Sequence, residues 1–307
     1  MSSDSIPDYS SVVSATGFLR PRASRSIPDF EDHLVISRRI LALLGAGLSA
    51  SSGLPTFRGA GGLWQTHDVK QLSTPAAFEE DPGLVWTFYL ERRKAARNTK
   101  PNKAHEALAE LARKKQGFLA ISMNIDGLSE RAAHPPDQLR FLHGNLFDVK
   151  CTRCDLILAG EAGDAAIQSI EKLMTESKSP KLHREDIPGC PKCQTGLLRP
   201  GVVWFTEPLP PGTLSSVYAW IDAEPTIDTM LVIGTSAEVY PGTAYFEAAR
   251  KKGARVAVVN LDQEDVGLLA LEEQDWYFQG DAAVLVPEIL KLVIGKQMAS
   301  DGEASHT

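Results

Sequence analysis

The chain has four cysteines, and they fall as two Cys-x-x-Cys pairs, Cys151 with Cys154 and Cys190 with Cys193. Four thiolates complete a tetrahedral zinc shell and leave no open position, so a metal held there is structural rather than catalytic. The competing reading is two redox dithiols; paired spacing in an enzyme-sized chain favours metal. His143 lies in Leu142-His143-Gly144, just past a short apolar run. An imidazole at such a strand end can act as a general base near neutral pH, although a lone histidine is more often simply packed. Tyr89 and Arg92 stand three residues apart in a helical pattern and so share a face. A phenol beside a guanidinium fork can bind a carboxylate through directional, charge-assisted bonds. The plainer alternative is a surface arginine next to a packed tyrosine.

A second group of residues suits a phosphate-bearing ligand. The apolar run Ile40 to Leu44 opens directly onto Gly45-Ala46-Gly47-Leu48-Ser49-Ala50. Gly45 and Gly47 permit close backbone approach, Ala50 occupies the third position of a GxGxxG/A turn, and N–H groups at the start of a following helix suit a pyrophosphate. Such a turn can equally be a plain strand–helix connection. The stretch from Ser52 to Trp64 follows, dense in glycine and carrying Pro55-Thr56-Phe57-Arg58. It can fold over a ligand and supply a cation. Three further strand ends offer polar groups: Asn124 and Asp126, Thr235 and Ser236, Asn260 and Asp262. Ligands of open α/β sheets bind at the carboxyl ends of strands, so these ends are expected to converge.

The elements that must position these groups are legible from pattern. Short β-rich runs occur at 40–44, 118–123, 139–142, 230–233, 255–260 and 276–278, several flanked by helical patterns. That alternation predicts a parallel sheet covered on both faces, an α/β fold. Thr74 before Pro75 and Asp81 before Pro82 read as helix N-caps followed by proline at the first helical position, the second opening a helix over 83–97. Asn102 caps a helix over 103–115, where Ala107, Leu108, Leu111 and Ala112 form one apolar face. The 35 residues from Asp155 to Gly189, between the cysteine pairs, are rich in Gly, Lys, Glu and Ser. They read as a small polar module inserted between two strands, dependent on its metal for folding.

Size and charge bound the partners. A chain of 307 residues can bury a substantial core; its net charge of −7 supplies no basic field for nucleic acid, and no apolar run approaches a bilayer span. Paired cysteines without a secretory leader predict an intracellular protein; the cytosol, nucleus and mitochondrial matrix all remain open, and three arginines between Leu19 and Ser26 hint weakly at a mitochondrial leader. A monomer that binds neither nucleic acid nor membrane is expected.

Taken together, these residues resemble the sirtuin family of NAD-dependent protein deacylases. The matching stretches are Gly45 to Ser49, Pro55 to Arg58, Asn124-Ile125-Asp126-Gly127-Leu128, His143-Gly144, both cysteine pairs, Val203-Trp204-Phe205, Gly234-Thr235-Ser236 and Asn260. The resemblance implies a Rossmann-like NAD-binding domain formed by residues 31–62, 116–148 and 200–295. A smaller domain would combine a helical insert, 63–115, with a zinc module, 149–199, holding one structural Zn2+. Residues 1–30 and 296–307 would be a flexible extension and tail.

It further implies that NAD is a co-substrate, held by Gly45, Ala46, Gly47, Ser49, Ala50, Pro55, Thr56, Phe57, Arg58, Trp64, Met123, Asn124, Ile125, Asp126, Gly234, Thr235, Ser236, Asn260, Leu261, Asp262 and Ala282. The acyl oxygen of a modified lysine would attack the nicotinamide ribose, with His143 then acting as general base. The products would be free lysine, nicotinamide and an O-acyl-ADP-ribose. Acylated peptides would lie as a strand between Val203–Glu207 and Glu238–Tyr240, with Val203, Phe205, Glu207 and Tyr240 in contact. Tyr89 with Arg92, and Ala60-Gly61-Gly62, resemble features of class III sirtuins, which prefer succinyl-, malonyl- and glutaryl-lysine. The alternatives are a general deacetylase or decrotonylase of the same family and a mono-ADP-ribosyltransferase; a zinc-containing dehydrogenase or a non-catalytic binding module would belong to other classes. Two positions depart from the family pattern: Met123 stands where glutamine is usual, and Thr206 where glycine is usual.

Overall fold

The structure is a computed structural model, describing residues 23–56, 63–176, 181–235, 242–261, 269 and 271–295. Helix α1 (Ile27–Ile36) starts at Ser26, whose hydroxyl accepts from Asp29 N–H, with a proline in its first turn. It leads into β1 (Ile40–Leu44), buried at every position, and a single turn of helix, α2 (Gly47–Ala50). A two-residue hairpin, β2 (Leu63–Trp64) with β3 (His67–Asp68), precedes the short helices α3 (Val69–Leu72) and α4 (Pro75–Glu80). The long helices α5 (Pro82–Asn98) and α6 (Lys103–Lys114) follow, each capped as its sequence predicts, by Asp81 and Asn102.

The middle of the chain supplies β4 (Phe118–Ser122), the short α7 (Leu128–Arg131), β5 (Leu139–Phe141), β6 (Gly144–Cys151), β7 (Ile157–Leu158), α8 (Gly160–Glu176) and β8 (Leu198–Val202). The last third alternates as α9 (Pro211–Asp222), β9 (Thr229–Ile233), α10 (Gly242–Lys251), β10 (Arg255–Asn260), β11 (Trp276–Gln279) and α11 (Ala282–Ile294).

Six of these strands form one sheet in the order β11-β10-β9-β1-β4-β5, and every pairing in it is parallel. Counted by order of appearance, the order is the 3-2-1-4-5-6 of a doubly wound dinucleotide fold, with its reversal between β1 and β9. Alternate residues of each strand face opposite ways, so one core joins Ile40, Ala42 and Leu44 to α1, α6 and α11. The other joins Leu41 and Leu43 to α9 and α10. The sheet is therefore covered on both faces by helices.

A third core lies apart from the sheet. It gathers Val85, Trp86, Phe88 and Tyr89 of α5 with Leu146 and Val149 of β6, Ile167 and Ile170 of α8, and Trp204. Its framework is a three-stranded antiparallel sheet, β7-β6-β8. Arg93, fully buried, clamps α5 to this framework by donating to Leu146 O at 2.5 Å and to Asp164 of α8.

Four expectations from sequence need correction. Residues 23–30 are not a flexible extension: Ser24 pairs with β11, donating to Asp275 O and accepting from Tyr277 N–H, and Phe30 has no exposed surface. Helix α6, expected in the insert over 63–115, packs with α11 against the large sheet because its apolar stripe matches that face. The boundaries expected at 148 and 200 shift, since β6 begins at Gly144 and β8 runs to Val202 within the smaller sheet. Finally, the stretch between the cysteine pairs is not merely polar. It holds the 17-residue α8, whose Ile167 and Ile170 enter the third core.

Candidate active site

The glycine turn sits at the reversal point of the sheet. Gly45 N–H donates to Ile233 O and Gly47 N–H to Gly234 O, both at 2.9 Å. A Cβ on Gly45 would lie 2.5 Å from Thr235 Cβ, and one on Gly47 would lie 2.6 Å from Gly234 Cα. The glycines are required because two strand-end turns interlock here, and their own N–H groups are spent on that contact.

From this turn a chain of polar contacts runs to the imidazole. Asn124 Nδ2 donates to Gly45 O at 3.0 Å and lies 3.3 Å from Ser49 Oγ. Ser49 Oγ donates to Asp126 Oδ2 at 2.7 Å. Burial, opposed by the Ser49 hydroxyl and Leu128 N–H, raises the Asp126 carboxyl above its ordinary value. One residue before Asn124, the Met123 carbonyl lies 2.9 Å from His143 Nδ1. A carbonyl can only accept, so Nδ1 carries the proton and Nε2 keeps its lone pair. Burial lowers the His143 pKa below its ordinary value, outweighing the Met123 contact, so the ring is held as a neutral base. The Met123 backbone, not its side chain, makes this contact, and the side chain packs against the second core.

A second bridge runs from His143 to helix α5. Val203 N–H donates to His143 O at 2.8 Å, and Phe205 N–H to Ser73 O at 2.9 Å. Between them, Trp204 Nε1 donates to the Tyr89 hydroxyl at 3.0 Å. Tyr89 is 3% exposed, and burial raises its pKa, which keeps the phenol protonated. Arg92, one helical turn on, lies with its guanidinium 4.6 Å from the centre of the Phe88 ring, and burial lowers its pKa. Glu207, expected to meet substrate, instead accepts from Arg199 at 2.5 and 2.8 Å and from Trp204 N–H at 2.8 Å. Its carboxylate fixes the loop. Thr206 takes φ +73° at the third position of a turn closed by Glu207 N–H to Trp204 O; that left-handed backbone explains why glycine suits the position.

The remaining expected residues are placed as follows. Ala46 and Thr56 are half-buried, Pro55 and Ala50 exposed, and Thr235 is half-buried beside the glycine turn. Trp64 is turned to α5, donating to Glu91 at 2.7 Å and meeting Phe88 edge-on. Ile125 holds β6 through its carbonyl, bonded to Leu146 N–H at 2.8 Å. Ala282 is packed in the first core, whereas Leu261 is 70% exposed. Phe57, Arg58, Ala60, Gly61, Gly62, Ser236, Glu238, Tyr240 and Asp262 lie outside the described residues. Two residues of the site, the buried His105 and the half-buried Asn102, escaped sequence reading as site residues. His105 Nε2 lies 3.4 Å from Ser49 Oγ, and Asn102 Nδ2 donates to Leu48 O at 2.8 Å. Asn102 signalled only a helix cap, and His105 is the third residue of that cap's box.

Both implied groups can be tested against the residues present. At the end of β10, Asn260 is 8% exposed; its Oδ1 accepts from Leu261 N–H. Its buried Nδ2 has no partner among the described residues. A buried donor without a partner among the described residues, at a strand end, fits a ligand rich in acceptor oxygens such as NAD. The cysteines are unpaired, and their four sulfurs lie within 4.8 Å of one another, with Cys151–Cys193 and Cys154–Cys190 at 3.6 Å. Thiolates about 2.3 Å from a tetrahedral zinc stand about 3.8 Å apart. Backbone N–H groups of Arg153 and Cys154 point at Cys151 Sγ, and that of Cys193 at Cys190 Sγ. The arrangement fits one structural zinc ion.

Sheet order, glycine turn and thiolate module together define a doubly wound dinucleotide-binding protein with a metal-stabilised lobe. Residues 45–241 match the Sir2 family, and the chain belongs to that family. An NAD-dependent protein deacylase of Candida albicans is 41% identical over 304 residues, covering 89% of this chain and 99% of the relative. The dog protein named NAD-dependent protein deacylase sirtuin-5, mitochondrial, is 35% identical, covering 88% of this chain and 86% of the relative. A crystal structure of a Sir2 homolog–NAD complex superposes with a TM-score of 0.74 at 33% identity, covering 89% of this chain and 96% of that one.

Proposed function

We propose that this Sir2-family enzyme, an NAD-dependent protein deacylase, acts on lysines carrying acidic acyl groups: succinyl, malonyl or glutaryl. One observation carries the reading. The segment Val203-Trp204-Phe205 is bonded at one end to His143 O and at the other to Ser73 O, with Trp204 Nε1 on the Tyr89 hydroxyl between them. Through it Tyr89 of α5 is linked to the loop that leaves His143, which supports reading the Tyr89–Arg92 face as part of the acyl site. A guanidinium partly withdrawn from water, one turn from a protonated phenol, favours a carboxylate over a methyl group. The similarity to a relative named sirtuin-5 is in keeping with this.

NAD, when bound, supplies an electrophilic ribose carbon with a departing nicotinamide. The chain supplies the rest. Asn260 offers its buried amide donor to the co-substrate, while Asn124, Ser49 and Asp126 form a polar wall between the glycine turn and the base. His143, neutral and fixed through Nδ1, takes a proton at Nε2. The loop 203–207 spends the N–H groups of Val203, Phe205 and Glu207 on His143, Ser73 and Trp204 carbonyls. A peptide strand therefore pairs with the loop's other groups. The large domain comprises the parallel sheet with its two helical layers, and the small domain comprises α3 to α5 with the thiolate module.

The test is a panel of acetyl, crotonyl, malonyl, succinyl and glutaryl peptides incubated with NAD and followed by mass spectrometry. Arg92→Met should raise KM for succinyl peptide at least about tenfold, the value of one charge-assisted hydrogen bond, with little change for acetyl peptide. Equal loss on both substrates would refute the acidic-acyl assignment.

A further inference from the structure

The Tyr89 hydroxyl has one proton to give, and it gives it away inside the protein. Tyr89 O–H donates to Ser73 Oγ at 3.1 Å, and the same oxygen accepts from Trp204 Nε1 at 3.0 Å. All three side chains are buried, at 3%, 6% and 2% exposure for Tyr89, Ser73 and Trp204. Ser73 cannot drift away, because its carbonyl is tied to Phe205 N–H at 2.9 Å. The ring is also held, meeting Phe88 edge-on at 4.9 Å between centroids. A phenol in this state has only a lone pair left to present. Against an incoming carboxylate, a lone pair repels. To donate to an acyl carboxylate beside Arg92, the hydroxyl must rotate off Ser73 and give up that bond.

We infer that Ser73 is a specificity-determining residue: by competing for the Tyr89 proton it tempers the enzyme's preference for acidic over neutral acyl groups. The inference rests on the acidic-acyl reading of Tyr89 and Arg92. A neutral acyl group asks nothing of the phenol proton, so only acidic substrates meet the competition. Trp204 keeps the phenol oxygen in place in either state and, by donating to it, makes the hydroxyl a better donor once released.

The experiment is a double-mutant cycle on the intact enzyme with succinyl and acetyl peptides. Ser73→Ala should lower KM for succinyl peptide by about fivefold, the value of one neutral hydrogen bond, and so raise the succinyl-to-acetyl ratio of kcat/KM. In a Tyr89→Phe background the same substitution should leave that ratio unchanged, because no proton remains to compete for. A Ser73→Ala enzyme with an unaltered ratio would overturn the proposal. So would an equal gain in the Tyr89→Phe background, which would mean that the serine acts by filling space. Arg92→Met separates the two levels. If its loss falls equally on both peptides, the acidic-acyl reading fails; if its loss is selective while Ser73→Ala is silent, only the role of Ser73 fails.

Discussion

His143, the proposed base, illustrates how much of a side chain's chemistry resides in its neighbours. Its strand-end position and adjoining glycine were readable from sequence, but its tautomer was not. That depends on a carbonyl 20 residues away in the chain, at Met123. The resulting prediction concerns pH. A base must be neutral to work, and burial holds this imidazole's pKa below the ordinary 6.5. Deacylation should therefore stay level through neutral pH and fall only as pH drops through a value on the acid side of 6.5. A kcat/KM profile against pH would check this, and a limb above that value would contradict it. His143→Ala should cost on the order of 10²–10⁴-fold in turnover while NAD binding persists, measured by calorimetry. Tyr89 and Trp204 were singled out from sequence, but the contacts that tie them to each other and to Ser73 were not, since these join positions 16 and 115 residues apart. No local pattern marks such a triad.

At the level of elements, legibility followed hydrophobic pattern. Strands β1, written in Ile, Leu and Ala, and β10, with Val and Ala between Arg255 and Asn260, match their expected spans. The caps at Thr74, Asp81 and Asn102 also start helices as their side chains suggest. Helix α8 was missed because only Gly163, Ile167 and Ile170 of its 17 residues are buried, too sparse a stripe to stand out from a polar stretch. The loop after β8 carries a strain that sequence could only hint at. Thr206 holds φ +73°, where a β-branched side chain is disfavoured by roughly 1–2 kcal/mol. Thr206→Gly should stabilise the protein by about 1 kcal/mol, the relief of strain exceeding the entropy that glycine adds to the unfolded chain. Urea denaturation would measure it, and a less stable variant would show that Thr206 makes contacts worth more than its strain.

For the molecule as a whole, the thiolate module is less self-contained than its composition suggested. Cys151 and Cys190 belong to the same buried cluster as Trp86, Phe88 and Ile167, so metal is not the module's sole support. Removing zinc with a strong chelator should release one equivalent of metal and expose the backbone around 151–158 and 189–198 to hydrogen exchange. Protection should persist in α5 and α8, which Arg93 and the third core hold together. Loss of protection throughout α8 would restore the view that the module folds only on its metal.

The small lobe is also stitched into the chain four times, between 56 and 63, 98 and 103, 143 and 144, and 202 and 211. A protein joined this way cannot shed one half through a single protease nick, because the severed lobe stays threaded through three remaining crossings. Nor can either half be inherited as a contiguous cassette. Gene fusions and truncations that cut this chain at one point inherit an incomplete half on each side, and the two lobes travel through evolution as a pair.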